Sequence, residues 1–398
     1  MSMTKRPGQS VVLVAAVVVV VAAWSGIVNA CTLVEIPFGD GVEFVTSRSL
    51  EFPGIFGLPV AHEWRLVSHP RSEGTTYNDA LPGGIDHHRS NPYGFVSIDA
   101  VFRPNHESDR DILHILSGDG MNEFGLSVSP HSFATSQYQR IAPLKQNIFY
   151  LYFVPWALGN FKTADDLIAS LRTNVSVVNP AHIGGVAKFH WSVSDATGAS
   201  YVIEYLNGEV HAFDNTAVRV MTNDPSWPWH VQNLNTYASV SPNWSDGGTQ
   251  LAVETPVGRV PSVVSNGYNL VGLPGDLTPQ SRFVRTWYMK EILLHNRMNP
   301  LDRDQAIMTA TALLNSVFIP KGSLASALED EFNETKVREA DFTQWNVCKL
   351  PVTGEYMFRS YENMQWKRVQ LSNVDFSVGA TPIMIDIFDG TLGIQDLV

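Results

Sequence analysis

Cys31 is the residue whose position in this sequence suggests chemistry most directly. It follows Val28-Asn29-Ala30, in which small residues occupy the two positions that signal peptidase recognises. A cut after Ala30 would leave Cys31 with a thiol of pKa about 8.5 and an α-amine of pKa about 8. The amine can take the proton of its own thiol and later return it to a leaving group. This pattern predicts a hydrolase in which Cys31 is the nucleophile.

The N-terminal segment has the organisation of a secretory signal peptide. Lys5 and Arg6 precede an apolar run over residues 11–23, and the predicted cut follows Ala30. An uncleaved anchor is the alternative, but the run is short and its downstream flank carries no charge. We therefore expect residues 1–30 to be a signal peptide and residues 31–398 to be the mature protein, secreted to the exterior or, in a bacterium, to the periplasm.

Two other interpretations of Cys31 stay open at this stage. The sequence contains two cysteines, Cys31 and Cys348, which could pair in an oxidising compartment. The residues 28–31 also resemble a bacterial lipobox, in which the cysteine is lipidated and its amine is blocked. The protein would then be a membrane-tethered binding module, and the mass of the N-terminal peptide separates that alternative from an enzyme.

Composition excludes several classes of partner. The formal net charge is −12 and the chain has no basic cluster, which argues against nucleic acid or an anionic membrane. No second apolar stretch of membrane length follows the leader, so we expect no membrane association after cleavage. We find no linker, repeat or long charge run, and interpret residues 31–398 as a single domain whose oligomeric state, a homo-oligomer included, is open.

Common alternative catalytic motifs are missing from the sequence. There is no Gly-x-Ser-x-Gly elbow and no His-Glu-x-x-His zinc pair, and we interpret His87-His88 as a solvated loop feature. We therefore predict neither a metal nor a cofactor. Three acceptor triplets for N-glycosylation matter only in a eukaryotic source, and they lie at Asn174, Asn243 and Asn333.

Strand patterns at both ends of the chain enclose helical patterns. Alternation predicts a hairpin of 32–38 and 42–50, strands over 94–102 and 185–195, and a hairpin of 199–206 and 210–214 around Asn207-Gly208. The other predicted elements are helices over 163–173, 283–296 and 302–317, strands over 355–360 and 366–371, and a loop over 68–91. This order favours α+β layers over a doubly wound parallel sheet.

Five blocks of sequence together resemble the choloylglycine hydrolase and penicillin V acylase family of N-terminal nucleophile hydrolases. They span nearly the whole mature chain in the family's order. The blocks are Cys31-Thr32, the stretch 47–51 (SRSLE), the stretch 121–126 (MNEFGL), the stretch 220–235 (VMTNDPSWPWHVQNLN), and the stretch 273–283 (LPGDLTPQSRF). The resemblance implies a four-layer αββα sandwich and hydrolysis of a small-molecule N-acyl amide.

The resemblance also implies catalytic roles for five residues. Cys31 matches the nucleophile, and Arg48 matches the arginine beside its thiol, whose charge would favour the thiolate. Glu51 falls where the family usually has an aspartate that binds the α-amine. Asn223 matches an asparagine that helps to hold the oxyanion, and Arg282 matches an arginine of the surrounding polar network.

Two positions depart from the family pattern. Glu51 adds a methylene to the usual aspartate, and Ser132 falls where the family has a second oxyanion asparagine. Backbone donation at Ser132 would tolerate the change, whereas a required side chain would weaken or alter activity. We place Phe52, Ser132 and Phe133 in the substrate site, where the aromatic residues favour an apolar acyl group. These departures argue against a bile salt and leave penicillin V-like or other N-acyl amides.

Each of the matched residues also has an ordinary structural interpretation. Arg48 and Glu51 could form a surface charge pair, and Asn223 before Asp224-Pro225 could serve a turn. Arg282 alone would be a solvated cation at a helix start. Only their joint occurrence with Cys31 favours a catalytic site.

Overall fold

The computed structural model describes residues 30–52, 64–72, 91–100, 117–179, 188–241, 253–260, 267–296, 301–324 and 341–388. The predicted leader before Ala30 lies outside these residues, as do His87-His88 and the glycosylation triplets at Asn243 and Asn333. Asn174 is described, and it is exposed just after a helix.

Eighteen strands and five α-helices occur within the described ranges. The strands are β1 (Cys31–Phe38), β2 (Glu43–Phe52), β3 (Trp64–His69), β4 (Phe95–Ala100), β5 (Ser117–Asn122), β6 (Ser127–Ser132), β7 (Gln146–Phe149), β8 (Val175–Val178), β9 (Phe189–Ser194), β10 (Ser200–Leu206), β11 (Glu209–Asp214), β12 (Val220–Met221), β13 (Val253–Thr255), β14 (Gly258–Val260), β15 (Phe342–Leu350), β16 (Glu355–Ser360), β17 (Lys367–Gln370) and β18 (Met384–Asp386). The helices are α1 (Phe153–Asn160), α2 (Ala164–Thr173), α3 (Trp227–Asn233), α4 (Pro279–His295) and α5 (Arg303–Asn315).

Two large sheets form the centre of the fold. One has the strand order β12-β1-β2-β15-β16-β17, and the other has the order β11-β10-β9-β6-β5-β4-β3-β18. Helices α4 and α5 share an apolar cluster with β1, β2 and β15, whereas α1 and α2 share the main cluster with the eight-stranded sheet. This arrangement confirms the predicted α+β, four-layer αββα sandwich.

Alternation along β1 decides which side chains enter the layer between the sheets. Val34 and Ile36 belong to the cluster with α4 and α5. Because successive strand residues face opposite sides, Cys31, Leu33 and Glu35 face the second sheet. The nucleophile candidate therefore opens the first strand and faces the inter-sheet layer.

Aromatic and polar contacts also join the two sheets across this inter-sheet layer. The rings of Trp64 and Trp345 meet edge to face with centroids 5.6 Å apart. Trp64 Nε1 donates to the Gln344 side chain across the same gap at 2.8 Å. Each sheet thus contributes one face to a buried layer that is unusually rich in polar groups.

Most predicted elements are present, with shifted ends. Thr163 caps α2 by accepting from the Asp166 N–H at 3.2 Å, and Asn207 and Gly208 adopt positive φ angles of 55° and 79° in their hairpin turn. Helix α4 begins at Pro279, four residues before the predicted start, because Thr278 caps it and proline suits the first turn.

Other predicted boundaries were wrong by a few residues. The expected loop over 68–91 begins inside β3, whose last residues pair with β4, and its residues 73–90 lie outside the described ranges. The strand expected over 185–195 is β9, and its predicted residues 185–187 also lie outside those ranges. None of the helices within the described ranges is long and apolar enough to cross a bilayer.

Candidate active site

Cys31 begins β1, which lies between the edge strand β12 and β2 in the six-stranded sheet. It pairs with Leu50 on β2, and only 2% of its surface is exposed. Both cysteines are free in the structure, so the disulfide interpretation was wrong for this form of the chain.

Every polar group of Cys31 is bound by one of the residues predicted from the sequence. Its main-chain N–H donates to Asn223 Oδ1 at 2.8 Å, and its carbonyl accepts from Arg282 Nη1 at 2.7 Å. Arg48 Nη2 donates to the Cys31 Sγ at 3.3 Å. Strands β2 and β12 and helix α4 thus bring residues that are remote in sequence to one cysteine.

Arg48 places its positive charge against the thiol from inside the inter-sheet layer. Its side chain is fully buried, and its guanidinium also donates to the Gly118 and Pro130 carbonyls and lies 5.4 Å from the Trp345 ring. The interpretation of Arg48 and Glu51 as a surface pair is wrong, because both are completely buried.

Arg282 joins the main chain of Cys31 to the side chain of Asn223. Besides the Cys31 carbonyl, it donates to Thr32 Oγ1 at 2.6 Å and to Asn223 Oδ1 at 2.8 Å. Its complete burial near the first turn of α4 contradicts the alternative of a solvated cation at a helix start.

The orientation of the Asn223 amide follows from these contacts. Its oxygen accepts from Cys31 and Arg282, so its nitrogen points the other way and donates to the Ser132 carbonyl at 3.0 Å. An amide nitrogen carries two hydrogens, which leaves one for a substrate oxygen. Asn223 is 1% exposed and is bound to the site, so a turn role alone does not account for it.

His230 supports Asn223 from helix α3, and sequence analysis gave it no role. Its Nε2–H donates to the Asn223 carbonyl at 2.9 Å. Burial lowers the pKa of His230 to about 4, so the ring is neutral at ordinary pH. The signal was present in the sequence, because His230 lies inside the block that begins at Val220.

Glu51 lies beneath the site rather than in direct contact with the Cys31 nitrogen. Its Oε1 accepts from the Thr343 hydroxyl at 2.8 Å, and its Oε2 has no hydrogen-bond partner among the described residues. Its main-chain N–H donates to the Ala30 carbonyl at 2.9 Å. Burial raises the pKa of Glu51, and the charge of Arg282 opposes that rise. In the uncut chain, Asn223 therefore binds the nitrogen that the family resemblance assigns to this carboxylate.

Burial also controls the Cys31 thiol and a second carboxyl group nearby. Desolvation raises the pKa of Cys31 above its ordinary value, although the charge of Arg48 lowers it. Burial, reinforced by the charge of Glu51, raises the pKa of Asp341 to about 7. At neutral pH the buried thiol therefore keeps its proton and needs a base to become a nucleophile.

The three residues predicted to contact substrate have different environments. Ser132 ends β6, and its carbonyl binds Asn223. Phe133 is fully buried and stacks on His190 with ring centroids 4.4 Å apart, so it belongs to the wall behind the site. The backbone of Phe52 pairs with Phe342 at the end of β2, while its side chain lies outside the described part of the structure.

Sequence analysis also missed buried groups that surround Arg48. Asp119 and Lys349 form an ion pair of 2.8 Å between the sheets. His131 is fully buried beside Ser132, and neither of its ring nitrogens has a partner among the described residues. Asp119 lies two residues before the block that starts at Met121, so its position in the sequence was a usable signal. No group of three or more metal-binding side chains occurs within the described ranges.

Comparison with known proteins identifies the family to which this arrangement belongs. The family model of linear amide C-N hydrolases, choloylglycine hydrolase family, matches residues 112–386. The chain belongs to the choloylglycine hydrolase family. It is therefore an enzyme of the class that hydrolyses linear amide C–N bonds, and the expected family is confirmed. The matched region includes Asn223 and Arg282, whereas Cys31, Arg48 and Glu51 precede it.

Relatives with different substrates resemble this member of the choloylglycine hydrolase family. A bile salt hydrolase/transferase of Clostridium perfringens is 30% identical over 262 residues, which cover 64% of this chain and 72% of the relative. The penicillin V acylase of Pectobacterium atrosepticum is 25% identical over 274 residues, covering 65% and 63%.

Solved structures extend the likeness of the fold to most of the chain. A variant of the Clostridium perfringens conjugated bile acid hydrolase matches with a TM-score of 0.72 and 24% identity, covering 92% of this chain and 100% of the other. Penicillin V acylase from Agrobacterium tumefaciens matches with a TM-score of 0.62 and 20% identity, covering 89% and 91%.

Proposed function

We propose that residues 1–30 are removed and that the mature protein is a secreted amidase with Cys31 as its nucleophile. The observation that carries this proposal is the binding of the nitrogen, carbonyl and thiol of Cys31 by Asn223, Arg282 and Arg48. Secretion would place the enzyme outside the cell or in the periplasm. No cofactor enters the reaction.

The reaction begins when the freed α-amine of Cys31 accepts the proton of the thiol. The thiolate forms a bond to the carbonyl carbon of the amide, and the carbonyl oxygen becomes an oxyanion. The second Nδ2 hydrogen of Asn223 is available to that oxygen, because its partner hydrogen is bound to Ser132. The C–N bond then breaks, the amine leaves with the proton from the α-ammonium, and a thioester remains on Cys31.

Water completes the turnover by attacking the thioester. The α-amine takes a proton from the water, the carbon–sulfur bond breaks, and the carboxylic acid departs as the thiol regains its proton. Glu51 Oε2, which has no partner among the described residues, is the acceptor we assign to the α-ammonium after cleavage. The extra methylene of Glu51 is accommodated by the bond from Thr343.

Lipidation of Cys31 is disfavoured by the space around it. A lipobox cysteine carries acyl chains on its sulfur and on its nitrogen, yet both atoms here are buried and bound within the sheet. Mass spectrometry of the N-terminal peptide decides between the two functions. We expect an unmodified peptide that begins at Cys31, and a diacylated cysteine would refute the amidase proposal.

The substrate we propose is penicillin V or another N-acyl amide with an apolar acyl group. The relatives of this chain include both bile salt hydrolases and a penicillin V acylase, so similarity alone does not select between them. Amine release should be measured on penicillin V, N-acyl homoserine lactones and conjugated bile salts. We expect kcat/KM to be at least tenfold higher for the first two classes, and a preference for bile salts would contradict the assignment.

A further inference from the structure

A buried ionic cluster lies between the sheets behind Arg48. Asp119 projects from β5, and it faces Arg48 and Lys349 from the six-stranded sheet; all three side chains are fully buried. The Asp119 carboxylate accepts from Lys349 Nζ at 2.8 and 3.0 Å, from the Tyr356 hydroxyl at 2.9 Å and from the Ser129 hydroxyl at 2.5 Å. Four hydrogen bonds therefore occupy this carboxylate.

Arg48 makes no hydrogen bond to the anion that is nearest to it. Its closest approach to Asp119 is 3.8 Å, and its guanidinium donates instead to the neutral carbonyls of Gly118 and Pro130 and to the Cys31 Sγ. A buried charge is stable only when it is paired. Because Lys349 already neutralises Asp119, the thiolate of Cys31 would be the counterion of Arg48.

A count of the charges facing Cys31 supports this assignment. In the inter-sheet layer, Arg48 and Lys349 are cations and Asp119 is an anion. Glu35, farther along β1, is paired with Arg219 at 2.8 Å. Glu204, on β10, lies 3.1 Å from the His190 ring. Among these groups, Arg48 is the cation without a hydrogen-bonded carboxylate.

Other ionisable groups lie around the thiol. Burial and the nearby charge of Arg48 keep the pKa of His131 well below its usual range, so its ring is neutral, and burial raises the pKa of Tyr356. On the helix side, Arg282 faces Glu51 and Asp341, whose carboxyl pKa values burial raises. Of the groups that accept hydrogen bonds from Arg48, the Cys31 thiol is the one that can become an anion.

We propose that Lys349 and Asp119 are positioning residues that leave the charge of Arg48 available to the Cys31 thiolate. The proposal rests on the proposed function of Cys31. If Lys349 lost its charge, Asp119 would become the counterion of Arg48 and the thiolate would face a neutral pair. If both members of the pair were neutral, Arg48 would again be the single charge beside the thiol.

The test measures alkylation of Cys31 by iodoacetamide as a function of pH in the mature protein, read from the mass of the N-terminal peptide. For Lys349→Met we expect alkylation at pH 7 to fall about tenfold, with kcat/KM falling in parallel, because the apparent thiol pKa rises by about one unit. For the double variant Lys349→Met with Asp119→Asn, we expect both rates to return to within about threefold of the wild type.

Lys290→Met is the matched control. It also removes a buried lysine, whose ammonium binds the Val218 carbonyl, and it should leave the alkylation profile unchanged. A folded Lys349→Met with the wild-type profile would overturn the proposal, as would a double variant with a shifted profile. If Lys349→Met does not fold, a shifted profile in the double variant alone overturns the proposal, because that variant contains no unpaired buried carboxylate.

Alkylation does not depend on turnover, so the two proposals fail in different ways. If the profile shifts as expected but no amide is hydrolysed, the positioning role stands and the proposed function fails. If Cys31 titrates normally in all variants while hydrolysis depends on it, the function stands and the positioning role fails.

Discussion

The two cysteines lie on opposite faces of the same sheet. Cys348, on β15, belongs to the apolar cluster beneath α4 and α5, and burial raises its pKa to about 12. Cys31 is equally shielded from solvent, but it faces the inter-sheet layer and meets Arg48 at 3.3 Å. Burial alone therefore does not make a thiol reactive. In the proposed mechanism, the cation beside Cys31 and the α-amine freed by cleavage activate its thiol.

Removing each thiol in turn should give the largest contrast. Cys31→Ala should lower kcat/KM by at least about 10⁴-fold, because loss of a nucleophile is among the most damaging changes in hydrolases. Cys348→Ala should leave kcat/KM within about twofold and lower the free energy of unfolding by about 1 kcal/mol through a small cavity. Amine release and thermal melting measure the two effects. Substantial amide hydrolysis by Cys31→Ala would contradict the assignment of Cys31 as the nucleophile.

Asn223 binds Cys31, and its substitution should have the next largest effect on turnover. Asn223→Ala removes the proposed oxyanion donor, and we expect kcat to fall about 10²- to 10³-fold. Thr309→Ala, at a buried position on α5, is the control and should leave kcat unchanged. If Asn223→Ala altered KM alone, the amide would contribute to substrate binding and the oxyanion role would be wrong.

Glu51 tests how much the extra methylene matters. Glu51→Asp restores the side chain usual in the family but lengthens the contact with Thr343, so we expect a change in kcat/KM of no more than about tenfold. Glu51→Gln keeps the size and removes the charge, and it should be the more damaging of the two. Equal activity of the wild type and Glu51→Gln would mean that the carboxylate does not hold the α-ammonium.

Substitution of Asp341 should have a smaller effect, which appears in the pH dependence of the free energy of unfolding. Its folded pKa of about 7 is above the unfolded value, so the folded state binds more protons and its contribution is lost as pH rises towards 7. Asp341→Asn should remove this loss and stabilise the protein on the order of 1 kcal/mol or more at pH 8 relative to wild type. Asp304→Asn, at an exposed site, is the control for melting curves between pH 4 and 8.

The order of strand and helix patterns predicted α+β layers, and the resemblance to the family placed Arg48 beside the Cys31 thiol, where the structure has it. The alternation of residues along the strands predicted the two faces of β1 and β2. The blocks that contain Arg48, Asn223 and Arg282 could be recognised because they occur together in the family's order. The orientation of the Asn223 amide could not be predicted, because it depends on a contact with Arg282, which is 59 positions away in the sequence.

The inter-sheet ion cluster could not be predicted in the same way. Asp119 and Lys349 are 230 positions apart and come from different sheets, so their pairing depends on how the sheets stack. A periodic residue pattern within one strand does not indicate how the two sheets stack. The ends of α4 were predicted less well for a different reason, since the cap at Thr278 precedes the apolar pattern that marks the helix.

The role of Cys31 is tested most directly by the mass of the N-terminal peptide of the active protein before and after treatment with iodoacetamide. We expect a peptide that begins at Cys31 with a free amine, and loss of amide hydrolysis in proportion to alkylation of that cysteine. A blocked amine, or hydrolysis that survives complete alkylation of Cys31, would contradict it.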